Sequence, residues 1–285
     1  MKHIYSSYGK INIGLKVLGK RTDGFHNIET IFYPVSLHDV VKIEIYRSNN
    51  FKILIKTNKK YIPLGEKNTC FKIVNLFFQK LGLKTDDHIK IDILKNIPSG
   101  GGLGGGSSNA AVVLKHLIKY YNADMSIFKK EIREIAIETG SDVTFFLLQK
   151  PCYACGLGEK LKILNNFKID FKILLVNPHM HISTKWAYDN LGMKEGEYKE
   201  NVLNNIEEFS LNNPEIYIND FENIVFPKYP LLKNIKNDML DKGAVFSSMT
   251  GSGATVYGFF KYEDKESLNS LYEYYKSKNY FTYIA

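Results

Sequence analysis

The chain has 285 residues, 44% of them hydrophobic and 24% charged, with a formal net charge of +8. That composition excludes wholesale disorder and leaves room for one large domain or two ordinary ones with a real core. The positive excess is lysine scattered along the chain, with no basic block interleaved with aromatics, which favours a positive cleft for a phosphorylated small molecule over a nucleic-acid track.

The first ten residues, MKHIYSSYGK, have no apolar run of signal-peptide type, and no later stretch approaches the roughly 18 apolar residues of a membrane span. A cytoplasmic protein is expected, with no membrane contact. Further along, Val41, Ile43 and Ile45 alternate with polar residues, as do Phe51, Ile53 and Ile55, and then Ile89, Ile91 and Ile93, so each predicts a half-buried strand. Between them Ile73, Val74, Phe77, Phe78 and Leu81 fall at helical spacing, with Gly82 as a stop.

Residues 98–111 read PSGGGLGGGSSNAA, with six glycines in the seven positions from Gly100 to Gly106. An apolar helical face formed by Ala110, Leu114, Leu117, Ile118 and Tyr121 follows, and Ser107-Ser108 are placed to cap it. Phe128, Ile132 and Ile135 predict another helix. The three cysteines make no disulfide framework; Cys152 and Cys155 match C-x-x-C, but Pro151 before and Gly156 after argue for two residues on opposite strand faces. A change of pattern after Gly158 suggests two domains, 1–160 and 161–285, the second opening with the compact strand FKILLV (171–176) and carrying another glycine cluster, SSMTGSGATVYGFF (247–260). There is no internal repeat.

A glycine cluster between a strand and a helix needs unusual backbone angles or the close approach of a ligand, and a helix N-terminus offers unpaired N–H groups to an anion. The P-loop pattern is absent because no lysine follows the glycines, and a dinucleotide fingerprint drawn from Gly100, Gly102 and Gly105 fails because Asp124 follows a helix, not a strand. PSGGGLGGGSSNAA instead resembles the second motif of the GHMP kinases; YGKINIGL (8–15) resembles their N-terminal motif and MTGSGATVYG (249–258) their C-terminal one. Within that family, GKRTDGFHNIETIF (19–32) and GSDVTFFL (140–147) are similar to segments of the branch whose acceptor alcohol carries cytidine diphosphate, in non-mevalonate isoprenoid synthesis.

The resemblance implies a two-domain α+β fold, an N-terminal β-α domain like that of ribosomal proteins and a C-terminal α/β sandwich. It implies ATP and Mg2+ as cofactors, a small-molecule substrate carrying cytidine diphosphate, and a monomer or weak homodimer. By resemblance Asp142 is the base and Lys10 the cation beside it. Pro98, Gly100, Gly101, Gly102, Leu103, Gly104, Gly105, Gly106, Ser107 and Ser108 hold the ATP phosphates, and Asn68 and Lys95 line the adenine pocket. Asn12, Phe25, His26 and Tyr188 take the acceptor, with His26 reading cytosine between the two aromatic rings, and Thr250, Gly251, Ser252 and Gly253 close the site near the transferred phosphate. No second acid can be assigned to the metal. The chain departs from the family pattern at Tyr8-Gly9, Ser99, Phe25 and Thr144, and Phe25 lacks the phenol hydroxyl usual at its position.

Overall fold

The computed structural model describes residues 2–285. In chain order the elements are β1 (Lys2–Lys20), β2 (His26–Tyr46), β3 (Lys52–Thr57), α1 (Thr69–Leu81), β4 (His88–Leu94), α2 (Gly105–Tyr120), α3 (Lys129–Thr139) and α4 (Ser141–Leu148). There follow β5 (Cys152–Gly156), β6 (Lys160–Ile163), β7 (Lys172–Asn177), α5 (Thr184–Asp189), α6 (Glu222–Lys228), α7 (Pro230–Asp241), β8 (Phe246–Met249), β9 (Val256–Phe260), α8 (Lys265–Ser277) and β10 (Phe281–Ile284). Among the described residues no helix is long and apolar enough to cross a membrane.

Residue contacts divide the chain into two compact units that interleave along the sequence. The first holds the described residues through Gly9, Leu37–Ile97 and Gly104–Gln149; the second holds Lys10–Ser36, Pro98–Leu103 and Lys150–Ala285. A division at residue 160 falls at the first residue of β6, which pairs with β5 inside the second unit.

In the first unit the later half of β2 pairs antiparallel with β4, and β3 pairs parallel with β4. The three alternating runs meet in register: Ile43 faces Ile91, and Ile91 faces Ile55. Period-2 alternation puts their branched side chains on one face, which burial of Val41, Ile43, Ile89 and Ile91 completes. Helix α1 buries the stripe Ile73, Val74, Phe77 and Phe78 and ends as expected, on Gly82 at φ +64°, where a left-handed residue lets its N–H reach back to Phe78 and Gln79. It packs on α2 and α3, and α2 packs on α4.

In the second unit β2 residues 28–32 pair with β5, and a separate antiparallel sheet runs β10-β7-β9-β8. The run Ile173–Val176 is buried at every position, as a central strand covered on both faces should be. α7 packs on β8 and β9, and α8 on β7 and β10. Cys152 and Cys155 lie on β5 as free thiols, and burial pushes the Cys152 thiol up to about 11, which suppresses the thiolate a redox pair would need.

Candidate active site

The glycine loop alternates in hand. Gly100, Gly102 and Gly104 sit at φ +69°, +76° and +69°, while Gly101 does not share the left-handed region. Successive residues of opposite hand turn their N–H groups toward one side and make a concave anion nest. At Gly102 no other residue fits, because a Cβ would lie 2.1 Å from the Thr250 carbonyl oxygen. Gly104 is the N-cap of α2, so the helix begins at Gly105, before Ser107 and Ser108; the serines occupy its first turn and do not cap it. Its first intrahelical bond runs from Ser108 N–H to Gly104 C=O at 2.9 Å, so the N–H groups of Gly105, Gly106 and Ser107 precede the ladder. They lie at the positive end of a 16-residue helix.

The two serines part company. Ser108 is buried and accepts a bond from Ser7 Oγ at 2.7 Å, whereas Ser107 lies next to the start of α4, its Oγ 3.5 Å from where a Cβ on Gly140 would be. Asp142 stands in the first turn of α4, after Gly140 as N-cap. Ser107, not Ser108, is therefore the hydroxyl beside the start of α4.

Beneath α2 lies a buried polar network that the sequence reading missed. Asp39, fully buried, accepts from the N–H groups of Asn96 and Ile97, both at 2.8 Å, from Asn109 Nδ2 at 2.9 Å and from Lys95 Nζ. Lys95 also reaches Asn109 Oδ1 at 3.2 Å, and Asn109 donates to Ser7 Oγ at 2.9 Å. This network ties the end of β4 to the second turn of α2, with Lys95 at its centre. Asn68 is the N-cap of α1, accepting from Cys70 N–H at 2.8 Å and donating to Pro63 C=O at 2.7 Å. Both of its amide atoms are thus engaged within the chain.

In the second unit Lys10 is 4% exposed and is no solvated edge residue. Its Nζ donates to Asn12 Oδ1 at 2.6 Å and Gly102 C=O at 2.8 Å and lies 5.1 Å from the centre of the Phe32 ring. Asn12, two residues on and on the same strand face, donates from Nδ2 to Thr30 Oγ1 at 3.0 Å, and its N–H donates to Thr250 Oγ1 at 3.0 Å. Thr250 Oγ1 lies 3.1 Å from the same Gly102 oxygen, so Lys10, Asn12, Thr250 and the glycine loop form one network. Gly251 and Gly253 take φ +58° and +89°, and Ser252 Oγ pairs with Thr184 Oγ1 at 3.0 Å.

The turn 21–25 is closed by Arg21 N–H to Phe25 C=O at 2.8 Å and by the Arg21–Asp23 ion pair, which holds the Asp23 carboxyl below its usual range. It presents Phe25, 60% exposed, next to His26, which is 8% exposed. The His26 ring stacks on Tyr188 at 4.8 Å and 19°, and Tyr188 meets Phe221 edge-on at 4.9 Å. Burial, followed by the nearby Lys20 charge, lowers the His26 pKa, so a neutral imidazole offers one donor and one acceptor to a ligand. Of these three side chains, His26 and Tyr188 are in ring contact, and Phe25 precedes His26 in the chain.

Two family models match the chain, the GHMP kinases N terminal domain over residues 68–150 and the GHMP kinases C terminal over residues 198–280. The 4-diphosphocytidyl-2-C-methyl-D-erythritol kinase of Thermoanaerobacter pseudethanolicus is 38% identical, over 98% of this chain and 94% of that one. The chain belongs to the 4-diphosphocytidyl-2-C-methyl-D-erythritol kinase family. A second member of the family, from Clostridium novyi, is 35% identical over 99% of this chain and 98% of its own. A crystal structure of a 4-(cytidine 5'-diphospho)-2C-methyl-D-erythritol kinase superposes with a TM-score of 0.78 at 26% identity, covering 99% of this chain and 98% of that chain. Membership makes the chain a GHMP kinase and hence a phosphotransferase, with the mixed α+β fold expected of it.

Proposed function

We propose that the chain transfers the γ-phosphoryl group of ATP to the 2-hydroxyl of 4-diphosphocytidyl-2-C-methyl-D-erythritol, in the cytoplasm and in the non-mevalonate route to isoprenoids. The observation that carries this reading is that one strand, β1, brings Lys10 onto the carbonyl of the glycine loop at 2.8 Å and ends at the turn that presents Phe25 and His26. A phosphate-handling group and a base-handling group thus share one strand.

The loop fits a nucleotide triphosphate. Its N–H nest and the first turn of α2 offer donors to phosphate oxygens, and the glycines leave the backbone bare to a bulky anion. Among the described residues no three His, Cys, Asp or Glu side chains gather as a metal cage. Mg2+ in phosphoryl transfer is commonly held by substrate phosphates with few protein ligands, and Ser107 and Asp142 are the oxygen donors we assign to it or to its shell. The ion supplies charge neutralisation on the phosphates. Asp142 accepts the hydroxyl proton, and Lys10 supplies positive charge that lowers the cost of the developing alkoxide. Neutral His26 reads the cytosine edge while Phe25 and Tyr188 offer apolar faces. Asn12 and Thr250–Gly253 hold Lys10 and the loop in place, their polar atoms already engaged with one another.

The test is magnesium-dependent ADP release with 4-diphosphocytidyl-2-C-methyl-D-erythritol, compared at equal concentration with mevalonate, homoserine and galactose. Activity confined to the cytidine diphosphate compound is expected. Release with another acceptor alone would refute the assignment of Phe25, His26 and Tyr188. Light scattering on the same sample is expected to show a monomer or weak homodimer.

A further inference from the structure

The segment Asn219–Glu222 touches both ends of the acceptor site described for the second unit, yet none of its residues has a part in the chemistry above. Asn219 is 1% exposed. Its Nδ2 donates to the carbonyls of Met249 at 2.7 Å and Gly251 at 2.8 Å, and its Oδ1 accepts from Phe221 N–H at 3.0 Å. The two carbonyls flank Thr250, whose hydroxyl accepts from Asn12 N–H at 3.0 Å and lies 3.1 Å from the Gly102 oxygen that also receives Lys10 Nζ. Two residues on, the Phe221 ring sets Tyr188 edge-on at 4.9 Å, and Tyr188 stacks on His26.

The rest of the segment is anchored on either side. Asp220 donates its N–H to Leu15 C=O at 2.8 Å and accepts from Val17 N–H at 3.0 Å, which fastens the turn to β1. Glu222 accepts from Ser248 Oγ at 2.7 Å and Met249 N–H at 2.8 Å, which fastens it to β8. Gly251 sits at φ +58° and Gly253 at +89°, so the stretch after Thr250 has few barriers of its own to relaxation. One rigid amide bonded to the carbonyls on both sides of Thr250 fixes the peptide planes that aim the Thr250 hydroxyl.

We propose that Asn219 and Phe221 are positioning residues that hold the two ends of the acceptor site in register. Asn219 acts through Thr250 on Lys10 and Gly102, and Phe221 acts through Tyr188 on His26. The turn 219–221 is the short covalent link between the two ends. The inference rests on the proposed function for its kinetic consequences and on the hydrogen-bond network alone for its structural ones.

The test uses the full chain and the variants Asn219→Asp, Asn219→Ala, Phe221→Leu and Thr250→Val. Asn219→Asp keeps the size and the acceptor toward Phe221 but turns the donor facing two carbonyls into an acceptor. It is expected to lower kcat about tenfold, the scale of losing one or two buried hydrogen bonds, with the acceptor KM within about twofold. Phe221→Leu is expected to do the reverse, raising the acceptor KM about fivefold with kcat within about twofold, and neither should move the KM for ATP. In the Asn219→Ala/Thr250→Val cycle the double variant should lose no more kcat than Thr250→Val alone, because both act through one group. Hydrogen exchange should rise in segments 9–15 and 249–254 for the Asn219 variants and stay unchanged there for Phe221→Leu.

Parallel loss of kcat and KM in both variants, in proportion to lost thermal stability, would overturn the proposal, as would additive losses in the cycle. If Asn219→Asp does not fold, Asn219→Ala and the cycle decide. Should the wild-type chain fail to phosphorylate the cytidine diphosphate acceptor, the function reading fails by itself. The exchange data still judge the link then: protection of residues 9–15 unchanged in the Asn219 variants sinks it, and protection lost there supports it.

Discussion

Two lysines illustrate how differently the same side chain is used in the two units. Lys10 and Lys95 are 4% and 6% exposed, and each lies against the glycine loop or the helix it feeds. Lys95 is locked to a buried carboxylate, Asp39, that also accepts from two backbone N–H groups and Asn109. Lys10 donates to a side-chain amide and a main-chain carbonyl and rests against an aromatic ring. An ammonium bound to a carboxylate within a closed network holds structure together. An ammonium that reaches the carbonyl of the glycine loop lies where an anion held by that loop would meet its charge. The difference teaches that a buried lysine near a phosphate loop is assigned by its partners, not by its place in the sequence.

The sharpest way to break this comparison is Lys95→Met. It strands the Asp39 carboxylate without its cation, and removing one partner of a buried pair costs about 3–5 kcal/mol, so a large drop in the urea midpoint is expected. Lys10→Ala should do the opposite, lowering kcat at least about a hundredfold while costing less than half as much stability, and Asp142→Ala should match it in kcat. A Lys10 variant that unfolds while Lys95→Met folds and loses only nucleotide binding would invert the two roles. Phe25→Ala comes next: removing an exposed ring proposed to cover the cytosine should raise the acceptor KM about tenfold, with kcat and the melting temperature little changed.

Much of this contrast is legible in the sequence. Val35, Leu37, Val41, Ile43 and Ile45 share one face of β2, and Asp39 falls on the same parity; Lys95 falls on the parity of Ile89, Ile91 and Ile93. An acid and a base each on the inward register of a strand signal a buried pair, and that signal was present in the alternation that located the strands. Local chemistry was equally legible where a single residue decides it, as at Gly82. It failed at Ser107-Ser108, because glycines at 105 and 106 can take helical angles and start α2 a turn early, and at Asn68, whose capping of α1 a side chain before Thr69 foretold. What no local pattern could disclose is the partner of a polar residue across the chain. Asn219 reaches residues 30 and 32 positions away, and Glu29 accepts from Val202 N–H, 173 positions away, at 2.7 Å. Such contacts exist only once the packing has chosen them.

A third buried base sharpens the comparison with a smaller effect. His116 is 4% exposed, shares a 2.8 Å hydrogen bond between Nδ1 and Tyr5 Oη, and has no partner for Nε2 among the described residues. Burial, then the neighbouring His3 and Lys119 charges, hold its pKa down to about 4. Its pKa in the unfolded chain is near 6.5, so on acidification the unfolded state takes up the proton first. Stability from this group is therefore complete above pH 6.5 and falls as pH drops from 6.5 toward 4. At pH 5.5 the loss is about 1 kcal/mol relative to pH 7.5. Other groups titrate over the same range, so the measurement is a difference: the fall in urea midpoint from pH 7.5 to 5.5 should be larger in the wild-type chain than in His116→Gln. Equal falls in the two proteins would mean that His116 stays free to protonate in the folded chain. A buried nitrogen without a partner would then cost little in this unit, and the weight placed on the partners of Lys95 would lose its nearest control.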